Sequence, residues 1–189
     1  MRVFWAIMEG RTDSNWHLND LPGAGRMDEA ARIVNAAFWL SHSIRTDVTL
    51  YITFTGGQDA PKTLKFVGSE LKKTPPDERG IAAIIRKALG TRAGDTWTRV
   101  HYGVYITKKD LAEIQKEMPA PYILLDENGE SGAEAVEDGA TFIVGGPYGI
   151  PGVAMGRIRI DEKVRVGSRV YTASHTVCAV NLLLDGVCQ

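Results

Sequence analysis

Three stretches of this sequence carry residue types able to do chemistry at the spacing in which they occur. In Asp20-Leu21-Pro22-Gly23-Ala24-Gly25-Arg26-Met27-Asp28, a glycine-rich loop delivers an arginine and an aspartate two residues apart. An arginine fork can hold a phosphate or a carbonyl, and a carboxylate can accept a proton or an N–H hydrogen bond. In FIVGGPYGIPG, from Phe142 to Gly152, a β-rich run opens into glycines. Glycines let a backbone approach a ligand, and open α/β sheets bind ligands at the carboxyl ends of their strands. The run is neither G-x-G-x-x-G nor a P-loop, because no Gly-Lys-Ser/Thr follows. In KVRVGSRVYTASH, from Lys163 to His175, a strand, a Gly167-Ser168 turn and a helix start at Thr172 and Ser174 would present free backbone N–H groups. Each stretch also has a plain structural reading: a surface ion pair, a tight turn, a capped helix. Spacing alone does not choose between them.

These residues need elements to hold them. Residues 2–8 are apolar and read as a first strand, and residues 9–26 as a long loop. MDEAARIVNAAFWLSH reads as a helix, with Asp28 and Glu29 in the first turn where the dipole favours carboxylates. His42 and Arg45 follow it; they complement the dipole at its end, and Arg45 could equally hold a phosphate. Residues 47–56 form a near-continuous apolar strand, which suits a buried parallel position, and TLKFVG a weaker one. Asp77 is the expected N-cap of a helix ending at Gly90. Residues 99–106 read as one strand, residues 122–125 as a short buried strand, and residues 163–167 as another. A C-terminal helix starts at about Thr172, with Val177, Val180 and Leu184 on one stripe. Alternating strands and helices make an α/β fold with a largely parallel sheet.

With 189 residues, 44% hydrophobic and 24% charged, the chain suits one domain with a real core. A net charge of −1 excludes a uniformly basic nucleic-acid binder but not a locally basic one. Between Lys62 and Arg99 nine basic residues, Lys72, Lys73 and Arg79 among them, meet four acidic ones. The stretch from Asp110 to Asp138 is acidic, so one polyanion-facing surface is compatible with the asymmetry, as are ordinary solvated helix faces. Cys178 and Cys188 make no disulfide framework, and the four histidines have no metal spacing, so no metal is expected. No apolar run of about 18 residues and no secretion-signal pattern occur, so the expectation is a cytoplasmic chain with no membrane partner.

Together, LPGAGRMD, FWLSHSIRTDV, KFVGSELKK and PDERGIAAIIRKAL closely resemble the archaeal tRNA pseudouridine-54 N1-methyltransferases of the SPOUT superfamily. The resemblance continues through YILLDENGE and FIVGGPYGI to VRVGSRVYTASHTVCAVNLLLD, nearly the whole chain in order. It implies an α/β fold with a C-terminal trefoil knot, a single domain over residues 1–189, and a cofactor and knot region at about 122–189. It also implies S-adenosylmethionine as methyl donor, pseudouridine in the tRNA T-loop as acceptor, and a homodimer. By position, the cofactor would sit among Leu125, Gly145, Gly146, Val166, Gly167, Ser168 and Thr176. Asp28 would accept the N1 proton or orient the base, and Arg26 would hold a uracil carbonyl or a phosphate. Arg45, Lys72, Lys73 and Arg79 would face tRNA phosphates. Two alternatives stay open: the same reaction on ribosomal RNA, and a knotted RNA-binding paralogue without catalysis. The second is motivated by Gly145-Gly146-Pro147, where relatives commonly show Gly-Asp-His.

Overall fold

The computed structural model describes residues 1–130 and 132–187; Ser131, Cys188 and Gln189 of the expected cofactor region lie outside them. Its strands are β1 (Arg2–Arg11), β2 (Val48–Gly56), β3 (Lys62–Val67), β4 (Thr98–His101), β5 (Val104–Thr107), β6 (Tyr122–Leu125), β7 (Thr141–Gly145) and β8 (Glu162–Val164). Its helices are α1 (Met27–Phe38), α2 (Glu78–Leu89), α3 (Leu111–Gln115), α4 (Gly152–Met155) and α5 (Ala173–Leu184).

The strands form one sheet in the order β4-β5-β3-β2-β1-β7-β6-β8. From β2 to β8 every pairing is parallel, and the β3, β5 and β4 extension is antiparallel. The centre falls where the sequence is apolar on both strand faces. Phe4, Ala6 and Met8 of β1 pack under α1, α2 and α5, while Val3, Trp5 and Ile7 pack on the opposite side with Leu111, Ile114 and Ala154. The few polar side chains here are satisfied. Trp5 Nε1 donates to Thr53 Oγ1 at 2.8 Å, and Thr53 and Thr63 share a 2.8 Å hydrogen bond.

Three of the helices start at side-chain caps. The Asp77 carboxylate accepts from the Gly80 N–H at 2.8 Å, and Asp110 caps α3 through a capping box with Glu113. The Thr172 hydroxyl caps α5 by accepting from His175 N–H. The N–H groups at this end are therefore not free as expected from the sequence: Ser174 N–H donates to Glu29 Oε1 at 3.2 Å. Further along α5, buried Asn181 donates to the carbonyls of Ala36 and Ala37 at 3.1 and 3.3 Å and accepts from Arg2 at 3.2 Å. One amide thus ties α5 to the end of α1 and to β1.

Four element bounds differ from the sequence expectations, the first being α1, which ends at Phe38 rather than His42. Strand β1 runs three residues further than expected, to Arg11, and shortens the loop. Residues 99–106 are two strands, β4 and β5, reversed at Tyr102-Gly103, where Gly103 has φ 68°. A side chain there would also approach the Leu71 nitrogen within 2.7 Å, so glycine is required twice over. The last strand stops at Val164 rather than Gly167.

Candidate active site

The carboxyl ends of β6 and β7 open into a cleft of about 460 Å³. Its floor is apolar, built from Leu124, Leu125, Val144 and Ile150. Backbone from the Gly145–Gly149 turn forms one wall, and Val170 to Ala173, entering α5, forms another. Arg26 and Glu29, from the start of α1, close the remaining side. Arg26, at the end of the loop before α1, and the expected cofactor residues Leu125, Gly145, Gly146 and Thr176 therefore meet at one cavity.

Glycine is needed in that wall because of the fold itself. A Cβ on Gly145 would lie 2.6 Å from the Gly149 carbonyl carbon, and one on Gly146 would lie 2.6 Å from Met8 Cβ. The turn closes through Gly149 N–H donating to the Gly146 carbonyl at 2.9 Å. A side chain at Gly145 would force the turn itself open, and one at Gly146 would press on Met8 of β1. Of the other residues expected at the cofactor, Leu125 and Thr176 line the cleft. Val166 and Gly167 line a hollow of about 50 Å³ beside it, shared with Leu125 and Thr176. Ser168 lines neither of these.

Arg26 sits in the left-handed region (φ 61°) as the N-cap of α1. That conformation is uncommon for a residue with a side chain, and it is held here by the turn around it. Its Nε and Nη2 donate to the two oxygens of Asp28, each at 3.0 Å. Asp28 also accepts from Arg32 Nη2 at 2.6 Å. Burial alone would raise the Asp28 pKa, but the hydrogen bonds from Arg26 and Arg32 outweigh it and hold the carboxyl at about 2. The bond to Asp28 raises the Arg26 pKa, with a smaller contribution from Tyr148.

The residue that sequence reasoning missed is Glu29. It is only 2% exposed, lines the cleft, and bonds both Arg32 (2.9 Å) and Ser174 N–H (3.2 Å). A hydrogen-bonded series thus runs from Arg26 through Asp28, Arg32 and Glu29 to the first turn of α5.

A family model of SAM-dependent RNA methyltransferases matches residues 1–187. The tRNA (pseudouridine(54)-N(1))-methyltransferase of Pyrococcus abyssi is 34% identical over 98% of each chain. Its counterpart from Methanocorpusculum labreanum is 37% identical over 88% of this chain and 87% of its own. The chain belongs to the archaeal tRNA pseudouridine-54 N1-methyltransferase family. Its fold is that of Archaeoglobus fulgidus Nep1, solved with S-adenosylhomocysteine bound, at a TM-score of 0.67 and 12% identity over 99% of each chain.

Within this methyltransferase fold, the expected RNA-facing cations are scattered. Arg79 is exposed on the first turn of α2 and donates to Asn19 Oδ1 at 2.6 Å, on the loop before α1. Lys72 and Lys73 are exposed but lie beyond the end of β3, at the far end of the sheet from the cleft. Arg45, expected at a phosphate, is instead bound to Asp185 through two hydrogen bonds of 2.9 and 2.5 Å. Its side chain is 10% exposed, and it joins the turn after α1 to the end of α5. Among the basic residues of 62–99, Lys62 is buried and structural, donating to the carbonyls of Thr12 and Leu89. Among the described residues no three His, Cys, Asp or Glu side chains come together as metal ligands, and no helix is long and apolar enough to cross a membrane.

Proposed function

We propose that this chain transfers a methyl group from S-adenosylmethionine to N1 of pseudouridine 54 in the tRNA T-loop. The observation that carries the proposal is the convergence of the Arg26–Asp28 pair and the glycine-walled cleft on one cavity. Family membership over the whole chain supports it.

The cleft suits the cofactor. Its volume falls within the usual range of about 300–1,000 Å³ for small-molecule sites. The floor of Leu124, Leu125 and Val144 suits a flat ring, and the Gly145–Gly149 and Val170–Ala173 backbones offer N–H and C=O groups to a polar ligand. The bound cofactor supplies a methyl group on a sulfonium, which is electrophilic without further activation. The protein's contribution is then chiefly placement.

Arg26 is the group that holds the base, donating to a uracil carbonyl or an adjacent phosphate. Asp28 orients Arg26. With two guanidinium groups bound and a pKa of about 2, Asp28 is a weak proton acceptor, so the N1 proton passes to solvent. Pseudouridine differs from uridine in having a free N1–H, which makes N1 the acceptor that distinguishes them. The base must leave its stack to reach a cavity of this depth. A homodimer, a trefoil knot in the 122–187 region and a cytoplasmic location belong to the same proposal.

The test is methyl transfer from labelled S-adenosylmethionine to a T-loop RNA carrying pseudouridine or uridine at the target position. Label should appear only with pseudouridine, as N1-methylpseudouridine in the digested product. Transfer to uridine, preference for a ribosomal RNA hairpin, or no transfer despite cofactor binding would each refute the assignment.

A further inference from the structure

The antiparallel half of the sheet carries a feature that the cleft does not use. Four residues stand directly opposite one another across four strands: Tyr51 on β2, Lys65 on β3, Tyr105 on β5 and Arg99 on β4. Aromatic and cationic side chains alternate along this row. Strand periodicity puts all four on the face away from α1 and α2, because the intervening Leu50, Leu64, Phe66, Val104 and Ile106 fill the core under those helices.

The row runs from the interior to an exposed edge. Tyr51 is buried, and Lys65 lies over the Trp97 ring at 4.2 Å and the Tyr105 ring at 5.4 Å. Arg99 is exposed on edge strand β4. Beyond it, Tyr102 projects from the hairpin tip, 43% exposed. The Arg99 guanidinium lies 5.2 Å and Lys73 Nζ 5.8 Å from the Tyr102 ring centre, and His101 meets the ring edge-on. Exposed Lys72 adjoins them.

Carboxylates nearby are already engaged. Glu70 accepts from the Tyr105 hydroxyl, and Glu117 binds Lys109 and Trp97 Nε1. No carboxylate lies within ion-pair distance of Lys72, Lys73 or Arg99 among the described residues, so the exposed end of the row is a partly exposed ring with cations over it.

We propose that Tyr102, Arg99 and Lys73 form a second RNA contact, a stacking and phosphate-binding platform for tRNA nucleotides outside the target loop. Exposed aromatics interleaved with cations suit unpaired nucleotides, because each base has a face to stack and each phosphate a charge to neutralise. A folded protein partner with an acidic patch would satisfy the cations but leave the exposed ring without a stacking group. With about 4.8 Å between strands and about 3.3 Å per residue along them, the platform lies roughly 30 Å from the cleft. One RNA arm can bridge that distance. The inference rests on tRNA being the substrate, but its measurement is independent of methyl transfer.

The test is binding of an unmodified tRNA transcript, which carries uridine at the target position and cannot report on the reaction. Arg99→Ala combined with Tyr102→Ala should weaken tRNA binding about tenfold or more and flatten the salt dependence by roughly one counterion. Tyr102→Trp keeps a stacking surface and should retain the affinity. Binding of S-adenosylhomocysteine and the melting temperature serve as controls for folding and should not move. Unchanged tRNA affinity and salt slope in the double variant overturn the proposal, as does a Tyr102→Trp protein that binds as weakly as the double variant. If tRNA binding falls as expected while the parent protein methylates no pseudouridine, the platform stands and the proposed reaction fails.

Discussion

At the scale of single residues, Asp28 is set by its partners. Two guanidinium groups take both of its oxygens and hold its pKa at about 2 against an ordinary 3.8. A carboxyl with a depressed folded pKa contributes stability above its unfolded value and loses it as pH falls through the folded one. Asp28→Asn should therefore cost about 2 kcal/mol at pH 7. The gap between variant and parent should stay constant down to about pH 5 and close between about pH 4 and 2. Chemical denaturation at a series of pH values measures this. A gap that persists at pH 2 would mean that Asp28 acts through packing. Because Arg26 loses its orienting partner, the same variant should lower kcat for methyl transfer about tenfold and leave S-adenosylhomocysteine affinity intact. Glu29 marks the limit of sequence reading at this scale. An acidic residue in a first helical turn already has an explanation in the helix dipole, and nothing in spacing shows that Ser174, 145 residues away, donates to it.

At the scale of elements, the periodic segments were legible and the reversals less so. Strand β6 has the bounds that its apolar run suggested, and α5 begins where Thr172 can cap it. The β4–β5 hairpin was hidden because RVHYGVYI is continuous in β-forming residues and Tyr-Gly is not among the strong two-residue turn signals. Only the positive φ of Gly103 reveals the turn. The buried amide at the junction between α1 and α5 was also invisible, since its partners are distant in sequence. Asn181→Ala should leave the Ala36 and Ala37 carbonyls and the Arg2 side chain without that partner and cost about 2–3 kcal/mol. Equilibrium denaturation checks this, and a loss under about 0.5 kcal/mol would show that water replaces the amide. Gly145 and Gly146 belong to this scale too. Their requirement comes from Gly149 and Met8, so the glycine-rich run is first a packing device and then a wall for a ligand.

At the scale of the whole molecule, one continuous sheet separates two jobs. Its parallel half ends in the cleft, and its antiparallel half carries the row of alternating aromatics and cations. Alternation of elements indicated α/β, but the order β4-β5-β3-β2-β1-β7-β6-β8 depends on pairings between strands as far apart as β1 and β7, which no local pattern encodes. Family resemblance across the chain supplied the fold class but not that order. Net charge was equally uninformative, because Lys62 and Arg45 are absorbed into the fold while Lys72, Lys73 and Arg99 remain open at the far end. The central claim is that a single cleft receives cofactor and base from opposite sides. A crystal structure of the protein with S-adenosylhomocysteine tests it most directly. The ligand should lie between Leu125, Gly146 and Thr172, with Arg26 still paired to Asp28 and facing the open space beside it. A ligand bound elsewhere, or one in the cleft with Arg26 walled off from it, would contradict the account.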